Sequence, residues 1–143
     1  MDFKLEDSLG FIVNKTSAKL KNELFQRLNP YDVTPEQWSV LNFLWEQEGL
    51  SLTPKELSDI VLKDKPNTNR ILAKLQAKEL IVLKPHPTDK RAYQIFLTDR
   101  GWTLRAEIIP VAIQLLEEAT RGIEKNKVAE MKKLLNQIYN NIK

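Results

Sequence analysis

The chain has 143 residues, an apolar fraction of 42%, three Trp and five Phe, enough for one domain with a real core. It has no cysteine and a single histidine, which excludes disulfides, thiol chemistry and Cys-based zinc and leaves no multi-histidine metal site. Its net charge of +3 is uneven: −3 over residues 1–52, +4 over 53–100 and +2 over 101–143, so the middle carries the basic surplus.

Residues 3–28 read as one long helix. Leu5, Leu9, Ile12, Val13, Leu20, Leu24 and Leu28 recur near helical spacing, and Asn29-Pro30 stops it. A helix apolar on more than one side needs something large to pack on, and a partner subunit is the natural candidate. Thr34-Pro35-Glu36-Gln37 then opens a second helix: Thr34 caps, Pro35 suits the first position, and Gln37 completes a capping box. Trp38, Leu41, Leu44 and Trp45 share one face of it, and Gly49 ends it. Trp38 and Trp45, with Phe11 before them, suit a core; lining a ligand pocket is the minority reading.

Thr53-Pro54-Lys55-Glu56 repeats the start signal for a helix of about two turns, with Leu57, Ile60 and Val61 facing inward. Lys63-Asp64-Lys65 connects it to a helix opening at Pro66 and running to Lys78. At 100° per residue, Thr68, Ile71, Leu72 and Leu75 fall on the inner side. Asn69, Arg70, Ala73, Lys74 and Ala77 fall outside, with Asn67 at the edge. Asn can bond an adenine edge twice, Arg a guanine edge twice, and small alanines let a helix approach a groove floor. A helix N-terminus also favours phosphate.

Ile81–Lys84 and Ala92–Leu97 alternate as strands do, around the loop His86-Pro87-Thr88-Asp89-Lys90-Arg91. Arg91 suits a minor groove, where negative potential concentrates. Asp89 would repel phosphate if free, so its expected role is structural, pairing with a basic side chain to fix the loop. His86 reads as a surface or phosphate contact. Helix, connection, polar-faced helix and basic hairpin make a winged helix-turn-helix. Thr98-Asp99-Arg100-Gly101 caps a further helix containing Pro110, which Gly122 breaks. Glu124–Ile142 is a last helix with Val128, Met131, Leu134, Leu135, Ile138 and Ile142 in a stripe. The terminal stripes exceed what one small winged domain covers, which implies a two-fold helical dimer lobe.

The expected fold is mainly α with a small β hairpin (α+β). One domain spans 1–143: residues 33–101 form the DNA-binding lobe, and 1–30 with 102–143 the dimerisation lobe. No apolar run approaches the roughly 18–20 residues of a membrane span. The start MDFKLEDSLG does not resemble a signal peptide, so the expected compartment is the cytoplasm, with no membrane partner. No nucleophile–base pair, paired-carboxylate site or phosphate-binding glycine loop argues for an enzyme.

Five fragments in order, VTPEQWSVL at 33–41, LTPKEL at 52–57, PNTNRILAKLQAKELI at 66–81, PTDKR at 87–91 and LTDRG at 97–101, resemble the MarR family of transcriptional regulators. The resemblance spans nearly the whole chain. It implies a triangular homodimer whose recognition helix, Pro66–Lys78, enters the major groove while the wing tip reaches the minor groove. It implies a repressor bound to a pseudo-palindromic operator in double-stranded DNA and released by a small aromatic or anionic effector, with no cofactor. The expected DNA contacts are Pro66, Asn67, Asn69, Arg70, Lys74, Lys90 and Arg91, with Asp89 structuring the wing; Phe11, Trp38 and Trp45 are candidates for lining an effector site. The alternative is a winged-helix protein-interaction module that does not bind DNA. One departure matters: Glu79 stands where the family usually has Gly. Either Glu79 takes φ > 0, at on the order of 1 kcal/mol, or the helix ends differently.

Overall fold

The computed structural model describes residues 2–47, 52–62 and 65–142. Gly49, Lys63 and Asp64, and the side chains of Val61, Lys65 and Pro66, lie outside what is described. The order is α1 (Leu9–Leu28), α2 (Pro35–Glu46), α3 (Pro54–Leu57), α4 (Lys65–Ala77), β1 (Ile81–Pro85), β2 (Tyr93–Leu97), α5 (Asp99–Ala119) and α6 (Lys125–Asn141). The residues divide into two compact units, Met1–Val111 and Ala112–Lys143. The boundary falls one residue after Pro110, the proline inside α5.

Local chemistry sets the starts of these helices. Ser8 caps α1, after a short 3-10 turn at Leu5–Asp7 that the sequence reading had merged into one helix. Thr34 Oγ1 accepts from the Gln37 N–H at 3.2 Å and Gln37 Oε1 accepts from the Thr34 N–H at 3.5 Å, the expected capping box. Thr53 caps α3 through the Glu56 N–H at 3.2 Å, while its hydroxyl donates to Glu56 Oε1 at 2.9 Å. After Leu57 the backbone widens into a π turn, Ser58–Leu62. That wider winding turns each residue less about the axis. Ile60, which a 3.6-residue repeat places beside Leu57, is instead 53% exposed, while Ser58 is buried.

The first unit packs around α2, α4 and the hairpin. Leu41, Leu44 and Trp45 of α2, Thr68, Ile71, Leu72 and Leu75 of α4, and Ile81 and Ile95 of the strands are all buried. The hairpin is antiparallel, with Ile81 opposite Leu97 and Pro85 opposite Tyr93. Leu52 adds a one-residue bridge on its other edge, its carbonyl accepting from the Ile95 N–H at 2.9 Å. In the second unit α6 has no buried residue: Met131, Leu134, Leu135 and Ile138 of its stripe are all exposed. Near the start of the chain Leu9, Ile12 and Val13 are exposed too.

The end of α4 resolves the Glu79 question. Glu79 takes φ 62, and the Glu79 and Leu80 N–H groups return to the carbonyls of Gln76 at 2.9 Å and Leu75 at 3.1 Å. This is the Schellman closure that glycine normally makes. The Glu79 carboxylate lies 3.6 Å from Arg100, but both side chains are largely exposed, so the pair contributes little. Glu79→Gly is therefore expected to stabilise the fold by about 1 kcal/mol, read as a higher denaturant midpoint. A lower midpoint would mean that the Glu79 side chain does more than tolerate its backbone.

Candidate nucleic-acid interface

The amphipathic layout of α4 separates its two faces as expected. Asn69, Arg70, Ala73, Lys74 and Ala77 are exposed, Asn67 is half-buried, and Thr68 is fully buried. The Arg70 guanidinium donates to Asn67 Oδ1, so two expected reading groups are joined to each other. Pro66 lies in the first turn of α4, its side chain outside the described residues.

The wing tip is held by its own side chains. Asp89 Oδ1 accepts from the Arg91 N–H at 2.9 Å and lies 3.6 Å from Arg91 Nε. Pairing between Asp89 and a nearby basic group was expected; the partner is Arg91 itself. The Arg91 side chain is 93% exposed, and Lys90 is exposed beside it. The Asp89 carbonyl accepts from the Ala92 N–H at 3.2 Å, and the Ala92 carbonyl from the His86 N–H at 3.1 Å. Lys84 lies back over the Phe96 ring, 5.0 Å from its centroid.

Helix and wing share a groove of about 1020 Å³. Asn69, Ala73 and Gln76 line it from α4, and His86, Asp89, Arg91 and Tyr93 from the wing. Lys55, Glu56 and Asp59 close its third side. Of the expected contacts, then, Asn69, Asp89 and Arg91 meet in one groove, whereas Asn67, Arg70, Lys74 and Lys90 stand outside it. The aromatic candidates divide. Trp45 is 2% exposed and spends its indole N–H on the Gly101 carbonyl at 3.1 Å, which makes it a pillar of the core. Trp38 meets it edge-on at 6.4 Å and is half-buried. Phe11 sits on α1 with the Lys15 ammonium 5.7 Å from its ring centroid. Among the described residues no cluster of three His, Cys, Asp or Glu side chains could hold a metal ion, and no helix is long and apolar enough to cross a membrane.

One residue of consequence escaped the sequence reading, and a second was read there only as a surface or phosphate contact. Lys78 Nζ donates to the Asp32 carbonyl and to Gln37 Oε1 at 2.8 Å, and lies 3.3 Å from the Asp32 carboxylate. It ties the end of α4 to the start of α2. No local signal marks it, because its partners lie 46 and 41 residues away. His86 is the other: its Nδ1 accepts from two backbone N–H groups of the wing loop. The signal was its spacing, two and three residues before its donors, a capping pattern ordinarily sought only in Asp, Asn, Ser and Thr. Lys78→Met keeps the packing stem and removes the charged head. It is expected to cost about 1–2 kcal/mol in urea unfolding. An unchanged midpoint would mean that the end of α4 is held elsewhere.

A family model described as MarR family matches residues 31–92. The organic hydroperoxide resistance transcriptional regulator of Bacillus subtilis (strain 168) is 26% identical over 136 residues, covering 95% of this chain and 88% of its own. The multiple antibiotic resistance protein MarR of Escherichia coli (strain K12) is 28% identical over 131 residues, covering 91% and 90%. A mutant of that MarR complexed with operator DNA superposes with a TM-score of 0.81 at 27% identity, covering 91% of this chain and 92% of its own. Bordetella bronchiseptica BpsR, whose DNA binding is regulated by 6-hydroxynicotinic acid, shares the fold at a TM-score of 0.84 and 19% identity, covering 97% and 98%. Fold and surface together define a winged helix-turn-helix protein that binds DNA and regulates transcription. Over residues 31–92 the chain is similar to the MarR family, and the relatives it matches are transcriptional regulators.

Proposed function

We propose that the protein acts in the cytoplasm as a homodimeric repressor of a pseudo-palindromic operator. The observation that carries this reading is the shared groove, which sets Asn69 of α4 and the exposed Arg91 of the wing on one surface. In this reading Asn67, Asn69, Arg70 and Lys74 read bases or hold phosphates in the major groove, Pro66 opens the helix that carries them, and Lys90 and Arg91 serve the minor groove. Residues 33–101 are the DNA-binding lobe. Residues 1–30 and 102–143 are the dimerisation lobe, and the exposed stripe of α6 is what a second copy would cover. The BpsR relative supports a small aromatic or anionic effector that releases operator. Phe11 and Trp38 remain candidates to line its site; Trp45 is committed to the core.

Gel shifts on the protein's own upstream region separate this reading from a protein-interaction module. Arg91→Ala is expected to weaken binding by about 1–3 kcal/mol, against a wild-type affinity that falls steeply with salt. Equal affinity for the variant would remove Arg91 from the contact, and a flat salt response would remove the model. Leu135→Asp places a charge in the α6 stripe and is expected to yield monomer by light scattering; a persistent dimer would move the interface elsewhere. Thermal-shift screening with small aromatic acids, scored together with operator release, tests the effector.

A further inference from the structure

One side chain organises the wing tip from within its loop. His86 is half-buried at the start of the loop between β1 and β2. Its Nδ1 accepts from the Asp89 N–H at 3.0 Å and the Thr88 N–H at 3.2 Å, with the Thr88 hydroxyl 3.4 Å away. Backbone N–H groups only donate, so Nδ1 carries no proton and the ring proton sits on Nε2. Asp or Asn closes such a turn through a side-chain oxygen; here an imidazole does so. The contacts then run onward. Asp89 Oδ1 accepts from the Arg91 N–H at 2.9 Å, and the His86 N–H closes the loop on the Ala92 carbonyl at 3.1 Å. One ring nitrogen stands at the head of a chain that ends at Arg91.

We infer that His86 is the positioning residue of the wing: its unprotonated Nδ1 holds the turn that presents Arg91 to DNA. This rests on reading the wing as a DNA contact. The ring holds that turn as an acceptor, so an amide oxygen at the same position can stand in for it. A His86 that merely offered charge to phosphate would lose that role in His86→Asn and His86→Ala alike. The comparison of the two variants therefore separates the two roles. The charged and titratable groups that line the same groove, Lys55, Glu56, Asp59, Asp89, Arg91 and Tyr93, are retained in both.

The test uses the full chain and its upstream DNA, with amide spectra of the free protein alongside. His86→Ala is expected to bind about fivefold more weakly, the weight of one hydrogen bond, and to shift the Thr88 and Asp89 amide signals, while His86→Asn stays within about twofold of wild type. Thr88 and Asp89 amides unchanged in His86→Ala would overturn the cap. Full affinity in His86→Ala, or an equal loss in His86→Ala and His86→Asn, would overturn the positioning role. Amides that shift in His86→Ala while affinity stays level would leave the cap intact and remove the wing from the DNA contact.

Discussion

Thr98 and Gly101 form the corner on which the described groove between α4 and the wing depends. The Thr98 N–H donates to the Leu80 carbonyl at 3.1 Å, and its hydroxyl donates to the Glu79 carbonyl at 2.7 Å while accepting from the Gly101 N–H at 3.0 Å. The Gly101 carbonyl in turn accepts from Trp45 at 3.1 Å. One threonine thereby starts α5 and satisfies carbonyls at the end of α4, next to the first residue of β1. Glycine is required opposite it, because a Cβ at Gly101 would lie 2.4 Å from the Leu80 carbonyl oxygen. The end of α4, the hairpin base, α2 and α5 are fixed at one point, and the groove between α4 and the wing inherits its shape from that point.

That corner also explains why Glu79 is tolerated. The left-handed residue lies between the Schellman bonds of α4 and the Thr98 hydroxyl, so its conformation is determined from both sides. Strain persists where surrounding contacts over-determine it. The turn keeps the shape glycine would give it, and the wing starts from a conventional place despite an unconventional residue.

The sequence revealed most where the determining atoms are a few residues apart. The Thr34–Gln37 capping box, the two faces of α4 and the strand pairing around residues 86–92 depend on neighbours and on periodicity, and each was legible. The resemblance of five ordered fragments placed these pieces in one family. What remained hidden had other causes. The bonds of Lys78 join residues distant in the chain. The turn at Glu79 is decided by the Thr98 contact as much as by α4, so the residues near it left two outcomes open. Ile60 was misplaced because nothing in its segment announces a π turn. The pairing of Asp89 was anticipated from the cost of a free carboxylate near phosphate, whereas the two bonds that His86 Nδ1 accepts from the loop backbone were not.

The anchoring of α4 has a mechanical meaning. Lys78 and Glu79 pin its C-terminal end to α2 and to the start of α5, while Asn67 and Arg70 stand toward the other end. From Lys78 to Asn67 the rise is about 16 Å at 1.5 Å per residue. A tilt of about 5° at the pinned end then sweeps the N-terminal end through roughly 1.4 Å, enough to break a hydrogen bond whose useful range spans about half an ångström. The helix is a lever with its pivot at Lys78. A movement too small to disturb the packing at the pivot is large at the tip, and the bond between Asn67 and Arg70 travels with that tip as a unit.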